Sequence, residues 1–201
     1  MWDILSNYFQ IVLKPTITPL IIFIDDTLRN FTASNKILGL LCRSSDKTPD
    51  ATPKLSRYAS RYWKKLNINE TYDEISGIPT KSFEILTSII QSNIKNVEII
   101  ILDWDKTLTV HASYKSDVIN RYVMECYFGG YERMRAIKKF FAKLKKMKCK
   151  VLILTSNGRA KRDIESFQKG LSYVGASWVK IMHTDVVSKT VLINKMNLEK
   201  I

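Results

Sequence analysis

The sequence predicts an α/β protein in which a doubly wound, mostly parallel sheet carries helices on both faces. Three short apolar runs, at 20–24, 97–102 and 150–154, indicate strands that are buried on both faces. Amphipathic patterns at 80–94 and 131–147 predict helices in the intervals between these runs. Ligands of such sheets bind at the carboxyl ends of the strands, so the polar residues that end each run are the first candidates for a site.

The remaining segments continue the alternation of helices and strands. Residues 27–43 are expected to form a loop and a short helix, and the basic aromatic segment 55–66 to form a helix. Helices are also expected at 160–173 and 186–197, on either side of a fourth strand at 177–182.

The polar segment 44–54 has two prolines and no apolar periodicity, which is typical of a linker. We therefore divide the chain into an N-terminal strand–helix segment at 1–43, a linker and helical segment at 44–94, and the main core at 95–201. The 201 residues suffice for one α/β domain, with or without a small appendage.

The charge balance favours anionic partners. The chain has 32 Lys and Arg residues against 19 Asp and Glu residues, for a net charge of +13. Such a surface attracts nucleic acid or phosphorylated small molecules, although a lysine-rich surface can also serve solubility alone. The tyrosines and tryptophan of 55–66 either face nucleic acid or pack on the core.

The cysteine and hydropathy patterns bear on the compartment. The three cysteines are far apart and form no CxxC pair, which favours a reducing, cytoplasmic location. The apolar segment 8–24 is interrupted by Lys14, Pro15 and Pro19, whereas a membrane-spanning helix needs ~20 nearly unbroken apolar residues. We expect no membrane anchoring, and the sequence leaves the oligomeric state open.

Two acids follow the strand at 97–102 directly. Asp103 and Asp105 are two residues apart, so both carboxylates can face one pocket. One can attack a phosphorus atom while the other handles the proton of the leaving group. Two neighbouring anions also call for a divalent cation, and oxygen ligands favour Mg²⁺. The other interpretation is a capped turn at the end of a strand.

The segment IIILDWDKTLT resembles the first motif of the haloacid dehalogenase (HAD)-like superfamily, an apolar strand followed by DxDx[TV]. The resemblance implies a Rossmann-like sheet. It also implies that Asp103 is a nucleophile that forms an aspartyl-phosphate. Asp105 would be the general acid and base, and its main-chain carbonyl would help to hold Mg²⁺. Phosphatases and phosphotransferases of the superfamily have this second acid, whereas dehalogenases and P-type ATPases lack it.

Two further motifs are matched in the expected order. KVLILTSNGR is similar to the second motif, which implies that the Thr155 hydroxyl binds the phosphoryl group, helped by main-chain N–H groups of Ser156 and Asn157. The third motif is a lysine that offsets charge between nucleophile and phosphate. Lys189 lies at the matching position, and Lys195 is the alternative.

The fourth motif, a strand ending in an acidic pair, is absent from its usual place after this lysine. LIIFIDDTLRN near the N-terminus resembles it. The resemblance implies that Asp26 binds Mg²⁺, that Asp25 supports it from beside within the metal site, and that Asn30 can join the metal shell. An ordinary core strand with a polar end is the other interpretation. We expect a circularly permuted order in which the strand at 20–24 lies beside that at 97–102. The tail of a lost tandem copy, or a swapped dimer, remains an alternative.

The expected function is that of a Mg²⁺-dependent phosphatase, which hydrolyses phosphate monoesters. The alternative is a catalytically weak HAD-like protein that binds nucleic acid or phosphorylated ligands through its basic surface. The interval between Thr109 and Lys150 has room for a flap or a small cap only, which suits extended substrates. The segment FGGYERMRAIKKFFAKLKK before VLILTSNGR is similar to that of uncharacterised superfamily members from large DNA viruses.

Overall fold

The computed structural model describes residues 9–16, 21–32, 34–42, 54–65, 77–110, 120–185 and 188–196. Within these ranges the strands are β1 (Phe9–Leu13), β2 (Ile21–Asp25), β3 (Ile37–Cys42), β4 (Ile99–Leu102), β5 (Lys150–Thr155) and β6 (Lys180–His183). The helices are α1 (Arg57–Lys65), α2 (Ser82–Asn93), α3 (Arg121–Tyr127), α4 (Tyr131–Lys146), α5 (Gly158–Arg162), α6 (Ile164–Ser172) and α7 (Lys189–Lys195).

The strands form one mostly parallel sheet in the order β1-β3-β2-β4-β5-β6. β1 is antiparallel to β3, and every other pair of neighbours is parallel. β2 and β4 are paired from Ile21 opposite Ile99 to Ile24 opposite Leu102. The strand that ends in the N-terminal acidic pair therefore lies beside the strand that precedes Asp103, as expected.

Helices cover both faces of the sheet, which confirms the predicted α/β class. Alternate residues of β2 point to opposite sides, so that Ile22 and Ile24 belong to one apolar core and Ile21 and Phe23 to the other. The first core is filled from α2, α4 and α6, and the second is covered by Ile193 of α7. The apolar runs are therefore buried on both sides, as parallel strands require.

The expectation of a loop and short helix at 27–43 is wrong. A single 3₁₀ turn at Leu28–Asn30 is followed by β3, whose apolar side chains face both cores. Its Gly39 allows close packing, since a Cβ there would lie 2.8 Å from the Phe31 ring and 2.9 Å from Cβ of Leu13. β1 has no counterpart among the predicted strands.

The single helix expected at 160–173 is instead two helices. The helix is interrupted at Asp163, which has φ −148° and ψ 67°. The Asp163 carboxylate accepts a hydrogen bond of 3.1 Å from the Ser166 N–H. This side chain caps the new helix α6.

The region expected to hold a flap or small cap contains α3 and α4, and residues 111–119 lie outside the described ranges. A search of the described part of the chain finds no helix with the length and apolar character needed to cross a bilayer.

Candidate active site

The site lies where β2 and β4 end side by side. Asp25 is the last residue of β2, and Asp103 follows β4 directly. The Asp103 N–H donates to the Ile24 carbonyl at 2.9 Å, which extends the pairing of the two strands to the acids. One carboxylate oxygen from each of Asp25, Asp26 and Asp103 lies within 4.8 Å of the other two. The parallel register therefore brings acids from distant parts of the sequence into one cluster.

Lys189 joins two of these acids. It opens helix α7, is 1% exposed, and its Nζ donates to Oδ2 of Asp25 at 2.8 Å and to Oδ1 of Asp103 at 2.5 Å. Burial lowers the pKa of Lys189, but the charges of Asp103 and Asp25 outweigh this effect and raise the pKa above its usual value. The ammonium group therefore stays charged, while Lys195, the other candidate, is exposed at the far end of α7.

Asp25 is fixed on all sides. Its side chain is fully buried, and Asn30 Nδ2 donates to both carboxylate oxygens at 2.9 Å. The Thr27 N–H adds a hydrogen bond of 2.8 Å to Oδ1. Asn30, expected as a possible member of the metal shell, is thus engaged in holding Asp25. The 3₁₀ turn that follows β2, at Leu28–Asn30, brings the Asn30 side chain back to the Asp25 carboxylate.

Asp105 is positioned by the neighbouring strand. It lies in a tight turn at Trp104–Leu108, in which Lys106 adopts a left-handed conformation with φ 54°. Asn157 Nδ2 donates to its two oxygens at 2.9 and 3.1 Å, and the Thr155 hydroxyl donates to Oδ2 at 3.3 Å. Burial raises the pKa of Asp105 to about 7, although the hydrogen bond from Asn157 lowers it. A carboxyl group with this pKa can hold or release a proton near neutral pH.

The loop after β5 differs in detail from what the motif implies. The Asn157 N–H, expected to bind phosphate, donates to the Thr155 hydroxyl at 3.1 Å. The Asn157 side chain also accepts from the Arg159 N–H at 2.9 Å, which caps α5. Ser156 is exposed beside them. This loop therefore orients Thr155 and Asp105.

Negative charge exceeds positive charge in the cluster. Among the described residues that contact these acids, Lys189 is the one cation against the four carboxyl groups of Asp25, Asp26, Asp103 and Asp105. Burial raises the pKa of Asp103 well above its usual range, and the Asp25 charge adds to this despite Lys189. Burial and the Asp25 charge likewise raise the pKa of Asp26. Hard oxygen donors with uncompensated charge fit a divalent cation such as Mg²⁺.

A buried arginine supports the turn that carries Asp105, and the sequence motifs did not identify it. Arg133 is 5% exposed and its guanidinium has no carboxylate partner among the described residues, so burial lowers its pKa to about 10. It donates instead to main-chain carbonyls, of Ile78 at 2.9 Å, Leu108 at 2.7 Å, Phe128 at 2.8 Å and Thr107 at 3.1 Å. Arg133 could have been recognised from its position four residues before Ile137, which places this charged residue on the apolar face of α4.

Comparison with known proteins identifies no relative of this chain. No protein family matches the chain, and neither a curated protein nor a solved structure matches it. Inference about function therefore starts from the site itself.

Proposed function

We propose that this chain is a Mg²⁺-dependent phosphatase of the HAD-like type, which hydrolyses phosphate monoesters through an aspartyl-phosphate at Asp103. The observation that carries the proposal is the convergence of Asp25, Asp26 and Asp103 at adjacent strand ends, within 4.8 Å of one another. The resemblance to the superfamily predicts that these acids come together. The local sequence around each acid does not impose this arrangement, because Asp103 lies far from Asp25 and Asp26 along the chain.

Asp103 is the nucleophile. Lys189 binds Oδ1 at 2.5 Å and is the one described donor to this carboxylate, so Oδ2 is the oxygen that attacks. A bond forms between this oxygen and phosphorus while the bond between phosphorus and the ester oxygen breaks. The Lys189 ammonium offsets the charge that gathers on the phosphoryl oxygens.

Asp105 moves the protons. With a pKa of about 7, a protonated Asp105 donates to the oxygen of the leaving alcohol. The resulting carboxylate then takes a proton from water as that water attacks the phosphorus of the aspartyl-phosphate. The bond between phosphorus and Asp103 breaks, phosphate leaves, and both acids return to their starting forms. Asn157 and Thr155 hold Asp105 in place for both transfers.

The phosphoryl group is held by the Thr155 hydroxyl and by Lys189, which flank Asp103 from the neighbouring strand β5 and from α7. As a donor, the Thr155 hydroxyl makes a long hydrogen bond of 3.3 Å to Asp105, while its oxygen accepts from the Asn157 N–H at 3.1 Å. It can therefore turn to a phosphoryl oxygen at small cost.

Asp26 and Asp103 would hold the Mg²⁺ ion, together with the main-chain carbonyl of Asp105. When bound, the ion offsets carboxylate charge and stabilises the charge of the transferring phosphoryl group. Asp25 belongs to the same cluster, but its bonds to Lys189 and Asn30 suit it to positioning the lysine.

We further propose that the chain order is a circular permutation of the usual superfamily order. The parallel pairing of β2 with β4 supports this, since a strand carrying the fourth motif belongs beside the one carrying the first. Because Asp26 and Asp103 come together within one chain, a swapped dimer is not required to complete the site.

An aryl phosphate assay tests the function. We expect the protein to hydrolyse p-nitrophenyl phosphate with Mg²⁺, and Asp103→Asn to lower kcat at least ~10³-fold. Asp163→Asn is the matched control, because asparagine can also cap α6. Lack of hydrolysis across a panel of phosphate monoesters would contradict the proposal, and salt-sensitive binding of nucleic acid would then favour the catalytically weak alternative.

A further inference from the structure

Helices α1 and α3 carry a surface cluster of aromatic and basic side chains, which we call the α1–α3 patch: the exposed Arg57, Tyr58, Arg61 and Arg121, and the half-buried Tyr122. Tyr58 is 57% exposed, and its ring centre lies 5.3 Å from that of Tyr122. The Arg61 guanidinium carbon lies 5.9 Å from the Tyr58 ring centre. The two remaining arginines, Arg57 and Arg121, are also exposed.

The exposure of Tyr58 bears on a question that the sequence left open. The aromatic residues of α1 were expected either to face nucleic acid or to pack on the core. Among residues 57–61 of α1, whose side chains are described, Ala59 is buried and Tyr58 is exposed. The Ala59 carbonyl accepts a hydrogen bond of 3.3 Å from Cys126 Sγ of α3. Tyr58 therefore does not serve the packing of α1 against the core.

Among the described residues, no acid compensates the positive charge of the patch. The sequence of α1, RYASRYWKK, contains no acidic residue. Glu125 of α3 is 3% exposed and its oxygens accept from the Ser56 N–H and hydroxyl at 2.5 and 3.0 Å. It thereby holds Ser56, whose hydroxyl accepts from the Ala59 N–H at 3.3 Å and caps α1. Within the described ranges, none of the three arginines of the patch forms an ion pair.

We propose that the α1–α3 patch binds single-stranded nucleic acid. A base stacks on the exposed Tyr58 ring, and Arg57, Arg61 and Arg121 bind the neighbouring phosphates. Arginines around an exposed aromatic ring suit this ligand, because every base has a face that stacks and every linkage has a negative charge. An acidic peptide would use the charges but not the ring, and a duplex would hide its base faces.

Helix α3, which carries part of the patch, contacts the segment that follows the Trp104–Leu108 turn. Val110, two residues after the turn that carries Asp105, donates its N–H to the carbonyl of Tyr127 in α3 at 2.8 Å. Tyr122 is five residues before Tyr127, about 7.5 Å along the helix. The helix that carries Arg121 and Tyr122 is therefore bonded at its other end to the segment that follows the Asp105 turn. The corollary that the substrate is a phosphorylated nucleic-acid end rests on the proposed function, whereas the binding itself does not.

Binding is tested first without catalysis. Fluorescence anisotropy of a labelled thymidine 12-mer in EDTA should report salt-sensitive binding. We expect Tyr58→Ala to weaken it about 5- to 150-fold, the range found for loss of one base stack, and Tyr58→Phe to bind like the parent protein. The double variant Arg61→Ala/Arg121→Ala should reduce the magnitude of the slope of the log binding constant against the log salt concentration by about 1.4.

The matched control is the pair Lys138→Ala and Lys145→Ala. It removes the same charge from exposed positions of α4, outside the patch, and should leave the slope nearly unchanged. Circular dichroism verifies that each variant is folded. Binding by Tyr58→Ala that equals the parent's, or equal losses for the arginine and lysine pairs, would overturn the proposal, as would displacement of the 12-mer by polyglutamate at equal charge concentration.

A hydrolysis assay then separates the two proposals. If both hold, Tyr58→Ala lowers kcat/KM for a terminally phosphorylated 12-mer more than for p-nitrophenyl phosphate. Equal effects on both substrates would overturn the substrate corollary and leave the phosphatase intact. A protein that hydrolyses neither substrate but binds the 12-mer through Tyr58 would overturn the phosphatase and support the patch.

Discussion

Lys189 and Asp103 form a buried ion pair with 2.5 Å between Nζ and Oδ1, although 86 residues separate them in the chain. The same ammonium group binds Asp25, 164 residues away, at 2.8 Å. One lysine thus joins two acids that belong to neighbouring parallel strands. This contact unites the first segment of the chain with the main core at the proposed reaction centre.

Lys189→Met should destabilise the protein and abolish hydrolysis. Removing one partner of a buried ion pair typically costs roughly 3–5 kcal/mol, since the remaining charge is uncompensated. In this variant, Mg²⁺ should raise the melting temperature more than in the parent, because the ion replaces the missing positive charge. Lys195→Met, at the exposed end of the same helix, is the control. Equal unfolding free energies for the two variants in urea would contradict the role of Lys189.

Asp26→Asn should weaken the binding of Mg²⁺ at least about tenfold, because one carboxylate of the cluster becomes neutral. Isothermal titration calorimetry measures the affinity. Asp163→Asn, which changes an acid outside the cluster, should bind Mg²⁺ like the parent. An unchanged affinity for Asp26→Asn would show that the ion is bound without the Asp26 carboxylate.

In the absence of metal, the stability of the Asp105→Asn variant relative to the parent protein should increase as the pH rises. The pKa of Asp105 is about 7 in the folded state, against an ordinary value of 3.8. The unfolded chain therefore loses this proton first, and the carboxyl group disfavours folding increasingly from about pH 4 to 7. Asparagine does not titrate, so the variant should gain roughly 4 kcal/mol relative to the parent across this window and no more above it.

Urea unfolding in EDTA at several pH values measures this gain. Acids that do not interact with Asp105 titrate in the same way in both proteins and cancel in the difference, whereas Asp103, whose pKa the Asp105 charge raises, contributes to it. A difference that stays flat from pH 4 to 8 would mean that Asp105 is ionised in the folded protein like an exposed aspartate.

Asn157→Ala should move the pH profile of hydrolysis to higher pH. The Asn157 hydrogen bond lowers the pKa of Asp105, so its loss raises that pKa further. The limb of kcat/KM that reports the free enzyme's Asp105 then shifts upward. Asn93→Ala on α2, which removes an amide hydrogen-bonded to the Ile89 carbonyl, is the control. A lower kcat without any shift of the profile would assign Asn157 a purely structural role.

Arg133→Met should destabilise the protein by several kcal/mol. It removes a donor from four buried carbonyls. The Thr107 carbonyl keeps the hydrogen bond of 2.9 Å from the Ile78 N–H, and each of the other three that is left unsatisfied costs roughly 1–3 kcal/mol. Because two of these carbonyls lie in the turn that carries Asp105, kcat should fall together with stability, and Arg133→Lys should restore part of both. Arg135→Met removes the same charge from an exposed position of α4. If it were equally damaging, charge rather than the hydrogen bonds would be responsible.

The fold was predictable where the apolar pattern was unambiguous. The runs before Asp25, Asp103 and Thr155 are strands because a short apolar segment that ends in polar residues can be buried on both faces. β3 is equally apolar, but a short run is as compatible with a buried helix as with a strand. Only the tertiary packing at Gly39, against Phe31 and Leu13, decides in favour of the strand.

The site was predictable to the level of residue types. Motif spacing singled out Lys189 over other lysines, since its place follows from the order of strands. Motif spacing did not predict that Asn30 would bind Asp25, or that the Asn157 N–H would turn to Thr155, because such bonds depend on side-chain geometry. Arg133 was missed because a charged residue on an apolar helix face has no motif to mark it.

The central claim is that Asp103 attacks phosphorus in a site completed by Asp26. Its most direct test is rapid acid quench of the protein during turnover of a phosphate monoester with Mg²⁺, followed by peptide mapping of the acid-stable label. The account predicts one phosphorylated residue, Asp103, and loss of the label in Asp26→Asn. Hydrolysis without a covalent phosphoryl group, or a label on another residue, would contradict it.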